Sequence, residues 1–132
     1  GETLSECKHI HSLLNKKKYK FNLCLDVGHG DINSKNKSNY NPYNWLEKFS
    51  KQSPVIHIKQ VKKNNFAHLP FTTKNNKDGI IKPKKILDIL KKNNIYDTEL
   101  SFELSFKERD PIDKNLKKNI FETVKYWKKF IN

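Results

Sequence analysis

Phe21-Asn-Leu-Cys-Leu-Asp-Val-Gly-His29 is an apolar run that stops on a carboxylate and then turns through a glycine. Two later runs behave alike: Val55-Ile-His-Ile-Lys-Gln60 carries His57, and Leu100-Ser-Phe-Glu-Leu104 carries Glu103. Each is rich in the branched and bulky residues that favour strands. Each is followed by a loop and then by a segment of helical period, and such alternation predicts parallel strands covered by helices. The ends of parallel strands in a barrel converge on one face, where chemistry is done. Asp26, His57 and Glu103 brought together there offer the oxygen and nitrogen donors that suit a divalent cation such as Mn²⁺ or Mg²⁺.

Working outward from these runs, Thr3 and Glu6 form a capping-box pattern ahead of a helix reaching Leu14. Its expected inward face is Cys7, Ile10, Leu13 and Leu14. Residues 31 to 41 are polar and aperiodic, a loop. Asn41 followed by Pro42 starts a second helix, with Asn as cap and Pro in the first turn. It carries Tyr43, Trp45, Leu46 and Phe49 and ends near Ser50. The connection from Val61 to Ile81 contains His68 and Pro70, and a connection of that length is expected to be a folded substrate loop. Pro83 opens a third helix with Ile86, Leu87, Ile89 and Leu90 inward. The strand from Thr98 to Leu104 leads to a last helix within 111–130, whose predicted stripe is Leu116, Ile120, Phe121, Val124, Trp127 and Phe130.

The predicted order is thus α-β-α-β-α-β-α, three parallel strands alternating with four helices in one domain spanning 1–132. A closed barrel needs eight strands and about 250 residues. Either a small open α/β sheet or the last part of a barrel fits the pattern. The strands read as apolar on both faces, as parallel strands enclosed by helices do.

The formal charge of +13 invites a nucleic-acid reading, but of the 27 basic residues only Arg109 is an arginine. Bidentate recognition of phosphates and bases favours arginine, and the accompanying asparagine pairs point to compositional bias. A basic surface still draws in an anionic small molecule. The two cysteines have neither metal-binding spacing nor a disulfide framework; Cys24, inside an apolar run, is expected to be buried. No apolar run reaches the length of a membrane span, and a cytoplasmic location is the expectation. The chain has no methionine and opens with Gly-Glu-Thr, so it is expected to begin inside a longer reading frame.

Each candidate has a plainer alternative. Asp26 suits the cap of a turn. His57 in a β-branched run could be a satisfied core histidine. Glu103 between Phe102 and Leu104 is harder to explain plainly, because an unpaired carboxylate there would carry a desolvation cost. His29 and His68 could hydrogen-bond a sugar hydroxyl or be ordinary loop histidines. His9 and His11 read as surface residues. Lys107 and Arg109 follow the third strand, where phosphate commonly sits in barrels, or are solvated charges at a helix entry.

Asn22-Leu-Cys-Leu-Asp-Val-Gly-His-Gly30, Val55-Ile-His-Ile-Lys-Gln60, Gly79-Ile-Ile and Leu100-Ser-Phe-Glu103, in that order, resemble sugar isomerases and epimerases of the xylose isomerase-like TIM barrel superfamily. His68-Leu-Pro-Phe-Thr72, Lys107-Glu-Arg-Asp-Pro111 and Tyr126-Trp127 more narrowly resemble tetrulose-phosphate 3-epimerases of erythritol catabolism. The resemblance covers nearly the whole chain. It implies the C-terminal part of a TIM (β/α)8 barrel, its last three strands with their helices. It implies a divalent ion (Mn²⁺, Mg²⁺ or Co²⁺) held by Glu, Asp, His and Glu from four successive strands, with Asp26, His57 and Glu103 as the last three. Glu103 would also be one of two acid/base catalysts acting through an enediolate. His29, Lys59, His68 and Arg109 would contact a sugar-phosphate substrate.

The first glutamate has no counterpart, since Glu2 and Glu6 fall in the wrong place. By this alignment the first five strands and one catalytic carboxylate are missing, so the chain alone is expected to be weak or inactive. An unpaired sheet edge favours pairing with another chain, so an apolar patch and self-association, or a partner chain that completes the barrel, are expected. Two other classes stay open: a non-catalytic barrel fragment with a binding role, and an endonuclease-like protein acting on nucleic acid.

Overall fold

The structure is a computed structural model that describes residues 3–16, 20–28, 30, 34–63, 65–104 and 115–131. Helix α1 (Leu4–Leu14) begins at the capping box: the Thr3 hydroxyl accepts from the Glu6 N–H while the Glu6 carboxylate accepts from the Thr3 N–H. Strand β1 (Cys24–Asp26) follows. Asn41 caps α2 (Pro42–Phe49) through the Tyr43 N–H, with Pro42 in the first turn where its missing N–H costs nothing. Strand β2 (Val55–Ile58), α4 (Pro83–Lys92), β5 (Glu99–Phe102) and α5 (Leu116–Ile131) complete the alternating framework. Two 3₁₀ turns, Lys37–Tyr40 and Ser50–Gln52, flank α2.

The parallel sheet has the order β1-β2-β5. Cys24, Val55 and Glu99 form one row across it, and Asp26, His57 and Ser101 form another. Because side chains alternate along a strand, the sheet has two unlike faces. Leu25, Ile56 and Ile58 are buried against α2, α4 and α5 through Trp45, Leu46, Phe49, Ile86, Leu90 and Trp127. The other face carries Cys24, Asp26, Val55, His57 and Ser101, none of them buried. Strands apolar on both faces are therefore not what forms. Cys24 is exposed rather than buried, because odd and even positions of β1 part company.

The connection after β2 is not a single loop. Strand β3 (Gln60–Lys62) pairs antiparallel with β4 (Asn65–Leu69) in a second sheet, followed by the short helix α3 (Thr73–Asn76). Gln60 organises this segment from a fully buried position. Its amide nitrogen donates to Asn76 Oδ1 (3.0 Å) and to the Ile81 carbonyl (3.1 Å), and its oxygen accepts from the Val61 and Ile81 N–H groups. A side chain at Gly79 would overlap the Gln60 amide, so only glycine fits there. Helix α5 then fastens the segment: Thr123 Oγ1 accepts from the Phe71 N–H at 2.9 Å, and Trp127 meets the Phe71 ring edge-on at 5.3 Å.

Just beyond the C-cap of α4, Asn94 adopts a left-handed φ of 58°. Asn tolerates this conformation, and it lets the Ile95 N–H bond the Leu90 carbonyl and the Asn94 N–H bond that of Lys91. The chain is thereby redirected into β5.

Two helix faces differ from expectation. Helix α1 has no buried residue, and Ile10, Leu13 and Leu14 are exposed. In α5 only Thr123 and Trp127 are buried, while Leu116, Ile120, Phe121 and Phe130 are exposed. Both helices touch the core along narrow stripes, and among the described residues nothing covers the rest. Strands β1 and β5 are the two edges of the parallel sheet, each paired on one side within it.

Candidate metal centre

The strand register assembles the centre. Asp26 is the last residue of β1, and its row-mate on β2 is His57. Glu103 follows β5 directly, and its N–H bonds the Ile58 carbonyl at 3.0 Å, which carries the strand pairing one residue further. One ligand atom from each of Asp26, His57 and Glu103 lies within 4.8 Å of the others. All three side chains are half-buried. Two carboxylate oxygens and an imidazole nitrogen match the donor preferences of Mn²⁺, Mg²⁺ or Co²⁺. These three residues would hold such an ion, and the donor set fits it.

Lys59 lies at the middle of this cluster, fully buried at the step from β2 to β3. Its ammonium donates to Asp26 Oδ2 at 2.7 Å and to Glu103 Oε2 at 3.3 Å. A lysine charge removed from water needs such partners. Gly28 makes room for it, since a Cβ at that position would lie 2.5 Å from Lys59 Cε. The third neighbour is His68, on β4, with Nε2 at 3.2 Å from the ammonium. Nδ1 lies 3.5 Å from the same ammonium; an ammonium has no lone pair, so the ring nitrogen that bonds it accepts. Nδ1 also lies 3.5 Å from Glu103 Oε1. The hairpin thus returns His68 to the Asp26–His57–Glu103 cluster.

Asp26 acts as a turn cap and as a cluster member at once. Its Oδ1 accepts from the Gly28 N–H at 2.8 Å, while Oδ2 faces Lys59. Burial works to raise its pKa, but hydrogen bonding with Glu103, Lys59 and the Gly28 N–H, together with the Lys59 charge, holds it below the ordinary carboxylate value. Asp26 is therefore an anion at neutral pH. His57 presents Nδ1 at 3.8 Å from Glu103 Oε2 and Nε2 at 3.5 Å from Cys24 Sγ.

Among the sequence candidates, the structure brings together Asp26, His57, Lys59, His68 and Glu103. His29, Lys107 and Arg109 lie outside the described residues. His9 is exposed; His11 is half-buried, with Nε2 at 3.1 Å from the Phe21 carbonyl. Cys24 escaped the sequence reading as a site residue. The alternation of β1 was its signal, since the residue two before Asp26 shares its face. Gly28 was read as a turn glycine, and its second role, clearance for Lys59, depends on a contact between distant segments.

No protein-family model matches the chain. It is 37% identical over 129 residues to the D-erythrulose 1-phosphate 3-epimerase of Brucella abortus, a match that takes in 96% of this chain and 42% of that protein. The chain therefore spans less than half the length of this curated relative. Its fold superposes with a TM-score of 0.70 on the crystal structure of a candidate xylose isomerase from Rhodospirillum rubrum, at 18% identity, covering 91% of this chain and 39% of that one. The parallel sheet, the helices on one face and these likenesses agree: the chain has the fold of the C-terminal part of a xylose isomerase-like TIM barrel.

Proposed function

We propose that this chain carries the C-terminal share of the active centre of a metal-dependent sugar-phosphate epimerase or isomerase. The reaction is proton transfer next to the carbonyl of a ketose phosphate, through an enediolate. The supporting observation is the Asp26–His57–Glu103 cluster on adjoining parallel strands, in a chain that resembles an epimerase of a tetrulose phosphate. When bound, a divalent ion supplies charge stabilisation at the substrate's carbonyl and hydroxyl oxygens.

The remaining chemistry falls to the chain. Glu103 takes or returns the proton on carbon, with the His68 ring facing its Oε1. Lys59 and His68 also face the substrate's oxygens. His29 and Arg109 are further substrate contacts, Arg109 by its charge suited to the phosphate. The net charge of +13 draws an anionic sugar towards the site.

Inverting a carbon centre needs a second group on the opposite face, and Glu103 serves only one. We infer that the chain alone is weak or inactive, and that a further part of the barrel supplies the fourth ligand and the second carboxylate. The single-sided pairing of β1 and β5 and the exposed apolar residues of α1 and α5 support self-association or pairing with a partner chain. Among the described residues no helix is long and apolar enough to cross a membrane, and a cytoplasmic setting suits a sugar phosphate.

The test has two parts. Mn²⁺ is expected to raise the melting temperature by mass action, and His57→Ala should abolish the rise. An unchanged rise in the variant defeats the proposed centre. Epimerisation of a ketose phosphate with Mn²⁺ should be barely measurable for the isolated chain. Robust turnover by a monomer would overturn the inferred incompleteness.

A further inference from the structure

Lys59 occupies the space where the two carboxylates meet. Its ammonium bonds Asp26 Oδ2 (2.7 Å) and Glu103 Oε2 (3.3 Å), with His68 Nε2 as third neighbour at 3.2 Å. Glu103 Oε2 is also the oxygen that faces His57 Nδ1, at 3.8 Å. The other Asp26 oxygen is already committed to the Gly28 N–H at 2.8 Å. Asp26 Oδ2 and Glu103 Oε2, two of the oxygens that could join His57 around a cation, are thus those on which the ammonium sits.

The position is built, not incidental. Lys59 is fully buried, and its stem crosses Gly28, where any side chain would push against Cε and Cγ. With so little clearance, the charge has few other places to go. A divalent ion and an ammonium competing for the same two oxygens repel each other at short range in a partly dehydrated site.

We propose that Lys59 is the resident counter-ion of the Asp26–Glu103 pair. It competes with a divalent cation for the same two oxygens, and it holds the pair together when no ion is bound. This rests on the metal-centre reading above. Its consequence is an affinity kept deliberately low: the ion gains the carboxylates only by taking them from the lysine. A lysine that merely positions the carboxylates for the ion would have the opposite effect when removed.

Titration calorimetry with MnCl₂ and melting curves with and without Mn²⁺ separate these roles. Lys59→Met keeps the buried stem and deletes the charge. It should tighten Mn²⁺ binding about tenfold or more, and it should melt earlier than wild type without the ion and recover with it. Lys59→Arg keeps the charge and should show no tightening. If Lys59→Met is unfolded without metal, refolding at Mn²⁺ concentrations below the wild-type dissociation constant supports the proposal. Failure to refold at any concentration overturns it. Equal or weaker Mn²⁺ binding by folded Lys59→Met overturns it while leaving the metal centre intact. Binding by neither wild type nor either variant removes the metal centre itself, and the proposal with it.

Discussion

The two faces of the β1-β2-β5 sheet are made from alternate residues of the same strands, yet they answer to different physics. The helix-facing side, with Leu25, Ile56 and Ile58, is closed and apolar. Each fully buried isoleucine there stabilises the fold by about 1.5–3 kcal/mol. The opposite side holds Cys24, Asp26, His57 and, just beyond β2 and β5, Lys59 and Glu103. Here Cys24 is exposed, Asp26, His57 and Glu103 are half-buried and Lys59 is fully buried between the two carboxylates. One face supplies rigidity and the other spends it, because a preorganised set of ligands needs a backbone that does not yield.

The sharpest way to break this contrast is to cut each face in turn. Ile56→Ala leaves a cavity at a fully buried position of the central strand. It should cost about 2–5 kcal/mol in chemical denaturation. His57→Ala, one residue along on the other face, should cost less than about 1 kcal/mol, since its side chain is 36% exposed. Equal losses would show that both faces bear the fold.

A smaller effect is expected from pH. Asp26 has a native pKa below its usual value, so its ionised form is favoured by folding. Its contribution is complete above the unfolded carboxylate value of about 3.9, and it is lost as pH falls through the lower native value. The stability gap between wild type and Asp26→Asn should therefore shrink on going from pH 7 towards pH 3. A gap independent of pH would detach Asp26 from the Lys59 network. The least effect is expected at Phe121, 68% exposed on α5: Phe121→Lys should change the stability of the isolated chain by no more than about 0.5 kcal/mol. A larger loss would mean that this face of α5 is covered in solution.

Much of this was legible in advance. The Thr3–Glu6 box, the Asn41-Pro42 start and Pro83 mark helix starts because capping is local chemistry. Asp26, His57 and Glu103 stood out because they end or interrupt apolar runs. The hairpin did not stand out: Gln60 reads as the end of the Val55–Gln60 run, and Val61-Lys-Lys-Asn-Asn65 reads as the start of a loop. The segment is held instead by distant partners, Gln60 by Asn76 and Ile81, and Phe71 by Thr123. The stripe expected on α5 failed for a related reason. Period shows which residues share a face, not whether anything packs against it.

The sequence by itself determined the alternation of the three parallel strands with helices, the caps of α1 and α2, and the candidate residues Asp26, His57 and Glu103, since these depend on neighbours a few residues apart. Only the tertiary structure decided that Asp26 and His57 share a row and that Cys24 lies exposed beside His57. It also decided that His68 returns to the cluster on a hairpin, and that Lys59 is buried between two carboxylates with Gly28 giving it room. Those facts depend on strand register and on contacts between residues tens of positions apart, which no local pattern encodes.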